Sequence, residues 1–79
     1  MDPTILKRAG EALFGNQWQT PLAEALGVSD RTMRRWVAGQ SKVPNGVIAD
    51  VERAARQRVA DIYAFMAELT ATAAKGGEA

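Results

Sequence analysis

Three arginines, Arg31, Arg34 and Arg35, fall within five positions of one another. A guanidinium stays charged at any physiological pH. Its planar fork of donors fits two acceptors at once, such as two phosphate oxygens or N7 and O6 of guanine. Placed at about 100° per residue on a helix, Arg31, Arg34, Arg35 and Ala38 share one side, and Met33, Trp36 and Val37 share the other. The apolar side has to bury, so the guanidiniums have to face outward. Asp30 can pair with Arg34 at i,i+4, which would orient that arginine without cancelling the charge of the ridge. The chemistry on offer is recognition of an anion.

Other chemistry is sparse. The 79 residues contain no Cys and no His. Disulfides, thiolate nucleophiles, structural zinc and imidazole acid–base work are therefore excluded. No Gly-rich phosphate loop or nucleophile elbow occurs. Neither an enzyme nor a cofactor or metal is expected. Net charge is only +1, which argues against a general polycation, but its distribution is uneven. Residues 31–58 hold Arg31, Arg34, Arg35, Lys42, Arg53, Arg56 and Arg58 against Asp50 and Glu52, a net +5. The flanking segments 1–30 and 59–79 each carry −2. A basic middle between acidic ends is the footprint of a local anionic partner.

Local signals place the ridge on a helix. Gly27 can take the left-handed conformation that stops a preceding helix. Ser29 is a good N-cap for the next one, and Asp30 suits its first turn. Before them, Leu22, Ala23 and Leu26 form an apolar edge at helical spacing. Upstream, Asp2–Pro3 reads as a helix start, with Gly15–Asn16 ending that helix after Phe14. Ile5, Ala9, Ala12 and Leu13 are its expected inward stripe, and Gly10 is expected at a close crossing. Trp18 is expected as a core plug. Either Trp18 or Thr20 caps the helix that follows, and Pro21 must fall in its first turn. Gly39 ends the arginine helix. Gln40, Ser41 and Lys42 then form a polar loop, and Pro44–Asn45–Gly46 is turn chemistry with Asn45 a candidate cap.

The stretch from Gln19 to Ala38 resembles the helix-turn-helix of phage repressors and of Cro- and Xre-like regulators. The likeness lies in Gln19 opening the first motif helix, Ala23 at the crossing and Gly27 in the turn. Apolar Val28, Met33 and Trp36 then occupy the buried positions. The sequence WVAGQSKVP looks like the Gly-basic-Pro exit of that family. SKVPNGV followed by a long helix is also similar to small anti-CRISPR-associated and other phage accessory regulators, which repress their own operons. The resemblance implies an all-α domain of three to four helices over residues 1–52. It also implies major-groove contacts from Asp30, Arg31, Arg34 and Arg35, and phosphate contacts from Gln19, Ser29, Thr32, Gln40, Ser41 and Lys42. For Gln19 a solvated helix start is the equal alternative, for Arg31 a phosphate contact, and for Gln40, Ser41 and Lys42 a solvated connector.

From Val47 to about Ala73 neither Pro nor Gly interrupts the chain. Ile48, Val51, Ala55, Val59, Ile62, Met66 and Leu69 recur at steps of three and four, with Tyr63 and Phe65 widening the stripe. A small three-helix core covers only its first half. The remainder, Val59, Ile62, Phe65, Met66 and Leu69, requires a partner, and the simplest is a second copy packed two-fold. A bend into two shorter helices is the alternative. Residues 53–73 thus read as a dimerisation segment and 74–79 as a frayed tail. Arg53, Arg56 and Arg58 lie on its outer side, with Glu52 placed to pair with Arg56.

These features together predict a homodimeric repressor that binds an inverted repeat in double-stranded DNA. A helix-turn-helix adaptor, antitoxin-like or of phage-packaging type, is the alternative. No apolar run approaches a membrane span, and MDPTILKR lacks the regions of a signal peptide. A cytoplasmic protein without membrane contact is expected.

Overall fold

The computed structural model describes residues 1–76. Four α-helices make up the fold: α1 (Pro3–Phe14), α2 (Gln19–Leu26), α3 (Asp30–Val37) and α4 (Gly46–Gly76), with a short 3-10 turn, Gly15–Gln17, between α1 and α2. No strand occurs among the described residues. The helix ends follow the capping chemistry closely. The Asp2 carboxylate accepts the Thr4 N–H at 2.7 Å, and Pro3 follows at the first helical position. Trp18 occupies the cap position of α2 without a side-chain bond, leaving Thr20 inside the helix. Pro21 is the third residue of α2, where an N–H would lack an intrahelical acceptor in any case.

The exits of α2 and α3 share one motif. At the first, Gly27 (φ 71°) donates its N–H to Glu24 O at 3.1 Å, and Val28 donates to Ala23 O at 2.9 Å. At the second, Gly39 (φ 75°) donates to Trp36 O at 3.1 Å, and Gln40 donates to Arg35 O at 2.9 Å. This pair of bonds is the Schellman arrangement, which needs a left-handed residue between the helix and its exit.

Leu6, Trp18, Leu22, Ala23, Met33, Trp36, Val43 and Val47 form the buried core. Trp18 is the plug expected of it. Its indole lies against Gly10, where an added Cβ would stand 2.1 Å from Trp18 Cε3. The glycine therefore makes room for a side chain and not for a helix backbone. That contact rotates α1 away from the expected face. Leu6 and Gly10 point inward, whereas Ile5 is 46% exposed and Ala12 is also exposed. Likewise Val47, not Ile48, leads the core side of α4, and Ile48 is exposed. In α1 the expected stripe lies about one residue round from the buried one, because the neighbouring face is also apolar; on α4 only the first position differs, and Val51 and Ala55 rest on the domain as expected.

Helix α4 opens on backbone bonds: Pro44 O and Asn45 O accept from Val47 N and Ile48 N at 3.1 and 3.2 Å. No side-chain bond from Asn45 is made among the described residues. The helix is a single unit of 31 residues, not two helices about a bend. Val47, Val51, Ala54 and Ala55 rest on the domain, and from Arg56 onward every residue through Lys75 is exposed. The projecting half gives the molecule its 56 × 21 × 19 Å outline. The expected tail at 74–79 is helical as far as Gly76, and residues 77–79 lie outside the described part.

Replacing Gly10 with Ala should test the Trp18 contact. Helix propensity alone favours Ala by about 1 kcal/mol, but overpacking against a rigid indole costs about 1–3 kcal/mol. A net loss of stability is expected in urea unfolding. A variant as stable as the wild type would show that Trp18 is not held there.

Candidate nucleic-acid interface

Helix α3 is anchored through one side only. Met33 is fully buried and Trp36 is 6% exposed, while Arg31, Arg34 and Arg35 are all exposed. Helix α2 packs against α3 and is joined to it through the Gly27 turn. The start of α3 is tied by Ser29. Its Oγ accepts the Thr32 N–H at 3.1 Å, and its hydroxyl donates to Thr32 Oγ1 at 3.1 Å. Both functions of Ser29 are therefore occupied, and the outward donor at this end is the Thr32 hydroxyl.

Arg31, Arg34, Arg35, Ala38 and Gln40 surround one open concavity of about 520 Å³. Gln40 reaches it because the exit after α3 turns the chain back beside Arg35. Ser41 is half-buried in the same exit, its N–H pointing to Arg35 O at 3.3 Å, and Lys42 is exposed next to it. Gln19 is exposed at the first position of α2 and lines a separate depression with Trp18 and Thr20. Among the sequence-selected residues, the arginines and Gln40 are thus brought together. Ser29, Asp30 and Thr32 form the helix start beside them, and Gln19 stands apart.

The Asp30–Arg34 pair does not form. Among the described residues, the ion pairs are Arg53–Asp50 at 3.0 Å and Arg56–Glu52 at 2.6 Å, both on α4 and both solvent-exposed. The second of these matches the expected i,i+4 pairing. Asp30 sits in the first turn of α3, where the helix dipole already favours its charge. The three guanidiniums of α3 are consequently available to an external anion, whereas two of the three on α4 are engaged. The third, Arg58, stacks over the Phe14 ring at 5.3 Å.

One apolar feature was not anticipated as a surface. Ala9, Ala12 and Leu13 of α1 face Val51, Ala55 and Val59 of α4 across a groove of about 290 Å³. The sequence assigns these α1 residues to the core; Leu13 does pack against the buried cluster, whereas Ala12 is exposed. The signal that distinguishes the two faces is Gly10, whose missing side chain marks where Trp18 sits.

A family model described as bacterial toxin YdaS matches residues 6–62, well over half of the chain. The chain belongs to the bacterial toxin YdaS family. The YdaS match spans α2 and α3 entirely and ends at Ile62, inside the projecting part of α4. Comparison with curated proteins and with solved structures gives no match. No helix among the described residues is long and apolar enough to cross a membrane.

The cap and the ridge should separate in stability measurements. Ser29→Ala is expected to cost about 1 kcal/mol through loss of the N-cap. Arg34→Ala and Arg35→Ala should each change stability by less than about 0.5 kcal/mol, as exposed positions do. Urea midpoints check both. An arginine variant as damaging as Ser29→Ala would mean that the ridge serves the fold.

Proposed function

We propose that this protein is a homodimeric, sequence-specific binder of double-stranded DNA that represses transcription, most simply from its own promoter. The observation that carries the reading is the cluster of guanidiniums on α3, held outward by buried Met33 and Trp36 and unpaired with any described carboxylate. Helix α3 would lie in the major groove, with Arg34 or Arg35 on a guanine and Asp30 and Arg31 at the neighbouring bases. Gln40, Ser41 and Lys42 would hold phosphates at the exit of α3, Ser29 and Thr32 would lie toward the backbone at its start, and Gln19 at the start of α2. The distal stripe of α4 would join two copies, giving an inverted repeat with half-site centres about 34 Å apart. Because dimerisation depends on concentration, repression of its own promoter would be self-limiting. Family membership supports the broader class, a small phage-type regulatory or toxin–antitoxin protein.

A second reading is favoured by the half-exposed Val59, Ile62, Phe65, Met66 and Leu69. In it, the projecting helix binds another protein, and the domain is an adaptor or a toxin of the kind the family description names.

Selection on random duplexes followed by footprinting tests the first reading. An inverted repeat with at least one G·C pair per half-site is expected. Arg34→Ala or Arg35→Ala should weaken the selected site by about 1–3 kcal/mol. Affinity should fall with salt at a slope near −0.9 per phosphate neutralised. Charge reversal at both arginines should abolish binding. If duplex binding survives that reversal while Ile62→Asp abolishes capture of another protein, the adaptor reading replaces the repressor. If growth inhibition on expression persists in the reversed variant, toxicity does not run through DNA.

A further inference from the structure

The α1–α4 groove opens directly into the exposed stripe of α4, since Val59 and Ile62 line both. We propose that the groove is the seat for the distal half of α4 from a second copy, lying antiparallel to the first with the two-fold axis near Ile62. The proposal rests on the dimer put forward above and fixes its orientation and its occupied surface.

Two observations select this arrangement. The first is side-chain size. The groove is lined by Ala9, Ala12 and Ala55 together with Leu13 and Val51, whereas the projecting half carries Phe65, Met66 and Leu69. An antiparallel pair centred at Ile62 sets Leu69 opposite Ala55 and Phe65 opposite Val59, so large groups enter the space the alanines leave. A parallel pair would stack large on large and leave the groove empty, forfeiting contacts at a void. The second is charge. The near half of α4 nets +1, from Arg53, Arg56 and Arg58 against Asp50 and Glu52, and the far half nets −1, from Lys75 against Asp61 and Glu68. Arg58 lines the groove and has no ion-pair partner among the described residues. An antiparallel partner brings its Glu68 within reach of Arg58. A parallel partner sets one Arg58 level with the other, and like charges side by side cost free energy.

The arrangement also sets a distance. Each domain is centred beside Val51, so at about 1.5 Å per residue the two lie about 30 Å apart along the paired helices, close to one turn of B-DNA. A parallel pair would place both domains at the same end.

The absence of cysteine makes the test direct. Single cysteines are introduced at Ile62, Leu69 and Ala12, all exposed in one copy, and linked with a short bis-maleimide. Ile62→Cys should link to itself. Leu69→Cys alone should not, but an equimolar mixture of Leu69→Cys and Ala12→Cys should give the cross-linked heterodimer. Far-ultraviolet circular dichroism confirms that each variant is helical, and Ala9→Cys replaces Ala12→Cys if the latter does not fold. Self-linking of Leu69→Cys without linking in the mixture would overturn the antiparallel seat and leave a parallel dimer. Sedimentation of the wild type as a monomer at tens of micromolar would instead remove the dimer itself. Duplex binding by the α3 arginines is read separately in both cases.

Discussion

Burial of Met33 and Trp36 holds α3 to the domain by one side and determines what the other side can do. Their removal from water, each worth about 1.5–3 kcal/mol, sets the rotation of a helix only eight residues long. Such a helix has little stability of its own. The Schellman exits at Gly27 and Gly39 and the Ser29 cap fix its ends, so neither rotation nor register is free. The outward position of Arg31, Arg34 and Arg35 follows from that anchoring, and so does the approach of Gln40, which the exit bond to Arg35 O brings alongside.

The same economy of core explains α4. The chain is short, and its core is one layer built around Trp18, Leu22, Met33 and Trp36. Only the segment up to Ala55 finds a surface to cover. Beyond it, apolar side chains continue at helical spacing with nothing of their own domain beneath them. A domain of this size has a small margin of stability, so apolar area left in water is a cost unless it serves assembly. The alanine-lined groove beside it is open space that its own domain does not fill.

Much of this organisation was legible in the residues. The caps at Asp2 and Ser29, the left-handed glycines at 27 and 39, the first-turn Pro21 and the two-sided character of α3 depend on atoms within about four positions of one another. Their geometry is local and their signals are explicit. The Glu52–Arg56 pair was read for the same reason. The Asp30–Arg34 pair had the same spacing and did not form, because spacing permits an exposed ion pair but adds too little energy to compel it.

What only the tertiary structure decided is which apolar face meets the core. In α1 and at the start of α4 two adjacent faces are greasy, and periodicity cannot rank them. The choice falls to what lies opposite. Trp18 needs the space above Gly10, which draws Leu6 inward and leaves Ile5 and Ala12 on the surface. The sequence by itself determined where the helices start and stop and that three guanidiniums share one outward side. Packing decided that the other alanine face of α1 is a groove, because burial is a property of two surfaces and a sequence pattern describes only one.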